Sequence, residues 1–110
     1  MAREALGLVQ GTVDVLILKT LTWASMHGYA IAQWIRQRTD GALAVEDAAL
    51  YQALHRLERK GWVESEWGIS ETNRKAKFYH ITREGRRQLS ADVAELRRYV
   101  DALFKVLQPT

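Results

Sequence analysis

Three features of this 110-residue chain predict a mainly α domain that carries a small β-hairpin. Helical apolar periods recur three times before residue 61. Two aromatic and β-branched segments then flank a polar, basic turn. A final stretch repeats apolar residues at steps of 4, 3, 4, 3 and 4. Helix, helix, helix, hairpin, helix is the winged helix-turn-helix plan with an added C-terminal helix. The boundaries read as a winged helix-turn-helix body over residues 1–82 and a C-terminal dimerisation helix over 83–110, together one compact unit.

The first helix is read over residues 12 to 26, from Val13, Leu16, Ile17, Leu21 and Ala24 at near i, i+3, i+4 spacing. Thr12 is the expected N-cap, with Asp14 in the first turn, where the helix dipole favours a carboxylate. Val15, Leu18 and Trp23 widen the apolar face beyond one stripe, as in a helix buried on two sides. His27-Gly28 breaks it. A second helix follows from Tyr29 to Arg38, with Ile31, Trp34 and Ile35 on one face, and Thr39-Asp40-Gly41 turns the chain. Ala42 to Val45 reads either as a small strand or as a lead into the next helix.

Glu46 to Lys60 forms the third helix, with Leu50, Ala53, Leu54 and Leu57 as a narrow apolar stripe and Gly61 as its end. Trp62–Trp67 and Lys77–Ile81 are the two strands, and Gly68 to Ala76 is the hairpin tip with Arg74, Lys75 and Lys77 at its basic end. Thr82 caps the last helix, with Glu84 in its first turn, and Pro109 stops it. Leu89, Val93, Leu96, Val100, Leu103 and Leu107 form a heptad-type seam. That regularity predicts a helix–helix dimer contact; packing of the seam onto the chain's own helices is the alternative.

Composition narrows the function. Cysteine is absent, which excludes disulfide scaffolds, thiolate metal sites and thiol nucleophiles. The histidines, His27, His55 and His80, lie in separate elements without metal-ligand spacing. No Gly-rich phosphate loop and no Gly-x-Ser-x-Gly elbow occurs, so neither catalysis nor a cofactor or metal is expected. No basic segment followed by a long apolar one opens the chain, and no stretch nears the roughly 18 apolar residues that span a bilayer. A soluble cytoplasmic protein without membrane contact is therefore expected.

Net charge is +3, and the excess is local. Between Leu50 and Ser90 stand nine basic residues against five acidic ones, while the rest of the chain is slightly acidic. On a helical wheel, the side of the third helix opposite its apolar stripe presents Ala48, Gln52, His55 and Arg59, flanked by Tyr51 and Arg56. A helix fits the DNA major groove. Gln52 suits an adenine edge, Arg56 or Arg59 a guanine edge or phosphate, and Tyr51 and His55 phosphate or sugar. Arg74, Lys75 and Lys77 would add backbone contacts from the hairpin. The alternatives are a solvated face with a charged turn, or a winged-helix module for protein–protein contacts without specific DNA binding. The outer side of the third helix lacks the apolar residues a protein-binding surface would show.

The chain resembles the PadR family of bacterial transcriptional regulators, in its short form with a single C-terminal helix. The resemblance rests on Gly11-Thr12-x-Asp14-x-Leu16, then His27-Gly28-Tyr29. It continues with Leu50-Tyr51-x-Ala53-Leu54-x-Arg56-Leu57-Glu58-x-x-Gly61, and Tyr79-x-Ile81-Thr82-x-x-Gly85. It implies a homodimeric repressor that binds double-stranded DNA at an inverted-repeat operator. The third helix would enter the major groove, the wing would lie on the backbone, and the last helix would make the dimer together with the first. Tyr51 and Arg56 match family positions on the DNA side, and Arg74, Lys75 and Lys77 fall in the basic wing. Two departures from the pattern stand out: Gln52 where the family usually has Pro, and Glu46-Asp47 where it tends to have Ser-Pro. Many relatives respond to small aromatic or lipophilic effectors near the dimer interface. Trp23, Trp34, Tyr99 and Phe104 are the candidates for such a pocket, although the last helix carries no tryptophan. The same aromatics serve equally well as core.

Overall fold

A computed structural model describes residues 7–9 and 11–108. The elements run α1 (Thr12–Thr20), β1 (Met26–His27), α2 (Gly28–Arg38), α3 (Asp47–Arg59), β2 (Val63–Ile69), β3 (Lys75–Ile81) and α4 (Arg83–Leu107). The strands form one antiparallel sheet in the order β1-β3-β2. This is the winged-helix fold, as the order of elements in the sequence predicts.

The first helix is shorter than its apolar period. It ends at Thr20, where the hydroxyls of Thr20 and Thr22 donate to the carbonyls of Leu16 and Lys19 at 2.7 and 2.6 Å. Such back-bonding competes with continuation of the helix. Met26 and His27 instead pair with Tyr79 and Phe78, a third strand that the sequence reading did not contain. Gly11 occupies the N-cap position, and Thr12, the expected cap, is the first helical residue with its hydroxyl donating to Val9 O at 2.6 Å. His27 does not merely break a helix: its Nδ1 accepts from the Ala30 N–H at 3.2 Å and caps α2. Ala42 to Val45 is a loop, not a strand, held by Leu43 N donating to the Thr39 hydroxyl at 3.0 Å.

The third helix buries Leu50, Ala53, Leu54 and Leu57, the predicted stripe. Gly61 ends it at φ +77, so that the Trp62 N–H reaches back to Leu57 O at 3.0 Å, a left-handed cap that favours glycine. The strands extend beyond their aromatic cores, to Ile69 and from Lys75, and this shortens the predicted tip. Asn73 at φ +60 closes it. Thr82 caps α4 as expected, its Oγ1 accepting from Gly85 N at 3.0 Å. Pro109 lies outside the described residues.

The core gathers Ile17, Leu18, Ile31, Ile35, Leu50, Leu54, Leu57, Val63 and Ile81 between the helices and the sheet. Among the described residues the lone buried polar side chain, Thr20, is satisfied by the Leu16 carbonyl. Leu89, assigned by its spacing to a dimer seam, is only 8% exposed within its own chain, and Val93 packs against the same core. The rest of the seam, Leu96, Val100, Leu103 and Leu107, stands uncovered on α4. The helix is about 37 Å long at 1.5 Å per residue, so its second half projects beyond what the small body can cover.

Candidate nucleic-acid interface

Gly28, in the first turn of α2, permits a close approach. A Cβ there would stand 2.6 Å from the Tyr51 hydroxyl, so only glycine lets the Tyr51 ring of α3 lie across the start of α2. Gly85 does the same at the base of α4, where a Cβ would come within 2.1 Å of the Trp62 carbonyl. The two close approaches bring Tyr51 of α3 onto the start of α2, and the start of α4 onto the residue that precedes β2.

From that frame α3 exposes Ala48, Tyr51, Gln52, His55 and Arg59, the side the helical wheel assigns to solvent. A cleft of about 880 Å³ opens between α3, the start of α2 and the hairpin. Tyr51 and His55 line it from one side and Arg74, Lys75 and Lys77 from the other. Gln52 and Arg59 lie outside the cleft on the same exposed side of α3. Of the α2 residues that line it, Tyr29 and Gln33 are exposed, and sequence reasoning passed over both. Tyr29 stands inside the His27-Gly28-Tyr29 motif, and that was the signal available.

Arg56 is held elsewhere. Its guanidinium donates to Asp14 of α1 at 2.8 Å, with the side chains 43% and 19% exposed. The group expected to face a nucleic acid thus bridges two helices. Lys77 stands 3.8 Å from Glu58 of α3, whose other oxygen accepts from the Ser65 hydroxyl at 2.6 Å, so this carboxylate ties both wing strands to α3. Lys75 lies over the Trp67 ring at 5.3 Å. Beneath them, burial above all and then the Glu58 carboxylate raise the Tyr79 phenol above its usual value of 10.0. His27 Nδ1 accepts a hydrogen bond from the Ala30 N–H, and its Nε2 lies 3.8 Å from Glu71 at the wing tip. The surface therefore offers cations, hydroxyls and the His55 imidazole suited to phosphate or sugar, and the Gln52 amide suited to a base edge.

The aromatic candidates separate into different places. Trp23 and Trp34 form a tilted pair with ring centroids 6.2 Å apart, and the Arg38 guanidinium lies over both at 5.8 and 5.4 Å. Tyr99 instead lines a groove of about 840 Å³ between α1 and α4, together with Val15, Trp62 and Leu96. Phe104 is exposed farther along α4. One chain does not join the four into a single pocket. Among the described residues no three His, Asp or Glu side chains gather as a metal site. No helix among them is long and apolar enough to cross a membrane.

Fold and surface define a winged helix-turn-helix protein with a basic cleft and a projecting, apolar C-terminal helix. The model of the PadR-like family of transcriptional regulators matches residues 17–91, and the chain belongs to that family. It is a transcriptional regulator rather than an enzyme. An uncharacterized protein of Lysinibacillus sphaericus is 32% identical over 104 residues, covering 92% of this chain and 95% of that one. The structure of a transcriptional regulator from Clostridium thermocellum is 32% identical with a TM-score of 0.81, over 87% of this chain and 93% of that one. The structure of Bacillus subtilis PadR in complex with operator DNA shares the fold at 21% identity and a TM-score of 0.66, over 74% of this chain and 47% of that one.

Proposed function

We propose that this chain acts as a homodimeric, sequence-specific DNA-binding regulator, with α3 in the major groove and the wing on the flanking backbone. The observation that carries the reading is the cleft itself. Residues separated in sequence, Tyr51 and His55 on α3 and Arg74, Lys75 and Lys77 on the wing, face one space, and its cations suit phosphate. Gln52, exposed on α3, reads an adenine edge, and Arg59 a guanine edge or phosphate. Arg56 contributes by holding α3 against α1. A structure of this fold, that of Bacillus subtilis PadR, is of a complex with operator DNA.

The uncovered Leu96, Val100, Leu103 and Leu107 support a dimer through α4. Two recognition helices about 34 Å apart would then read an inverted repeat. The regulator is a repressor, relieved when a small aromatic or lipophilic compound enters between the subunits. The exposed rings of Trp23, Tyr99 and Phe104 supply stacking surface for it.

The test is binding to labelled duplex DNA from upstream of the protein's own gene, at two salt concentrations. Saturable binding that outcompetes unrelated DNA and weakens steeply with salt is expected. Binding no tighter than to unrelated duplexes, across a random-duplex selection as well, overturns the reading.

A further inference from the structure

One exposed aromatic of the wing has no role in the core. In the β2–β3 register, Trp67 is opposite Lys77 and Ile69 opposite Lys75. Alternation along the strands puts these four side chains on the face that also carries Val63, Ser65, Tyr79 and Ile81. Val63, Tyr79 and Ile81 are buried against the body, so farther along the hairpin the same face overhangs the cleft. Trp67 is 63% exposed there and Ile69 is also exposed. The Lys75 ammonium covers part of the indole at 5.3 Å. Trp67 also stands two residues short of the end of β2, recessed from the turn at Ser70 to Asn73. An exposed ring set back from the hairpin tip is badly placed to wedge between base pairs and well placed to pack against a weakly polar surface alongside the wing.

Resting on the DNA-binding reading above, we infer that Trp67, backed by Ile69, is the wing's apolar contact with duplex DNA and packs on deoxyribose. The match is one of alternation. A DNA strand presents sugar and phosphate in turn, and the wing presents an indole with the Lys75 ammonium over it and Arg74 lining the same cleft. The cations neutralise phosphates while the ring removes sugar C–H surface from water. A sugar contact carries no sequence information, so it strengthens binding to any duplex that fills the cleft.

The experiment is fluorescence anisotropy with the full chain and two labelled duplexes, the upstream DNA and an unrelated sequence, over a salt series. Trp67→Ala should weaken both by roughly fivefold to tenfold, the range that aromatic packing supports. The slope of log affinity against log salt should stay at the wild-type value. Trp67→Phe should recover most of the loss, and Lys75→Ala should instead lower the slope by about one. Thermal unfolding should be unchanged by Trp67→Ala, since the ring is exposed. Wild-type affinity in Trp67→Ala on a duplex that the parent binds overturns this inference alone, and so does a loss that appears only as a lower salt slope. A change in oligomeric state without a change in DNA affinity overturns it too, by making the ring a contact between copies of the chain. A parent that binds both duplexes equally refutes the sequence-specific reading while Trp67 is still tested. A parent that binds neither refutes both.

Discussion

The bridge between Asp14 and Arg56 can be weighed by a double-mutant cycle. The charged atoms are 2.8 Å apart, and the side chains are 43% and 19% exposed. Two unit charges about 4 Å apart interact by about 1 kcal/mol in bulk water and about 4 kcal/mol at an effective dielectric of 20. Exposed pairs measure about 0.2–1 kcal/mol once screening and side-chain entropy are included. With Asp14 four-fifths shielded and Arg56 nearly half open, a coupling of about 1 kcal/mol is expected, toward the top of the exposed range. Asp14 also lies in the first turn of α1, so part of its charge is stabilised by the helix without Arg56.

The assay is urea unfolding of the parent, Asp14→Ala, Arg56→Ala and the double variant, at one protein concentration so that any association contributes equally. Each single change should cost about 1 kcal/mol, and the double change should cost less than their sum by about that amount. The coupling should shrink in 1 M salt. The DNA side gives an independent reading. A guanidinium engaged with Asp14 contributes little to counterion release, so Arg56→Ala should leave the salt slope of duplex binding within a few tenths of the parent value. A coupling below about 0.3 kcal/mol, or a slope lowered by about one, would refute the argument that Arg56 bridges helices instead of contacting phosphate.

Gly85→Ala should destabilise the fold by about 3 kcal/mol or more in the same urea assay, because the new methyl meets the Trp62 carbonyl, which is backbone and cannot swing aside. Leu96→Asp or Val100→Asp should convert a dimer to monomers in light scattering, since each places a charge in the uncovered seam of α4. Tyr79 gives a pH signature. Its raised pKa means that above the usual tyrosine value of 10.0 the unfolded chain loses this proton first. The stability contributed by the neutral phenol is complete below pH 10.0 and is lost as pH rises through the folded value. Tyr79→Phe should therefore show a shallower fall in stability in alkaline urea titrations, and an unchanged slope would count against the burial argument.

Local chemistry was legible in the sequence. The stripe Leu50, Ala53, Leu54 and Leu57, the Gly61 stop and the Thr82 cap each depend on residues within one or two turns, and each lies where its spacing places it. What could not be read depends on partners far along the chain. Met26-His27 is too short to signal a strand, and becomes one because Tyr79 and Phe78 present an open edge. The motif residues Gly28 and Gly85 are explained only by Tyr51 and Trp62 arriving against them. Arg56 looked like a surface cation because Asp14, which claims it, lies 42 residues earlier. The seam of α4 shows the same division. Its 4-3 spacing identifies one face of a helix, but which part of that face the body covers depends on where the body ends, which is just past Val93.

The charges on α3 do more than decorate a surface. Arg56 and Glu58 are two residues apart, which places them about 200° apart around a helix axis, on opposite flanks of the exposed side. One flank is tied to α1 through Asp14, and the other to both wing strands through Ser65 and Lys77. Between these ties Tyr51 is set by Gly28 and faces the cleft with His55. If α3 enters a groove as proposed, its being fixed on both flanks leaves it little further freedom to lose, so more of its contact energy would remain as affinity. The same ties constrain how α3 can tilt. Asp14 and Val15 line the groove between α1 and α4, so the bridge to Arg56 begins where the uncovered half of α4 would meet a second chain. Asp14 and Arg56 thus link the α1 side of that groove to α3, and the Asp14–Arg56 cycle measures the strength of that link.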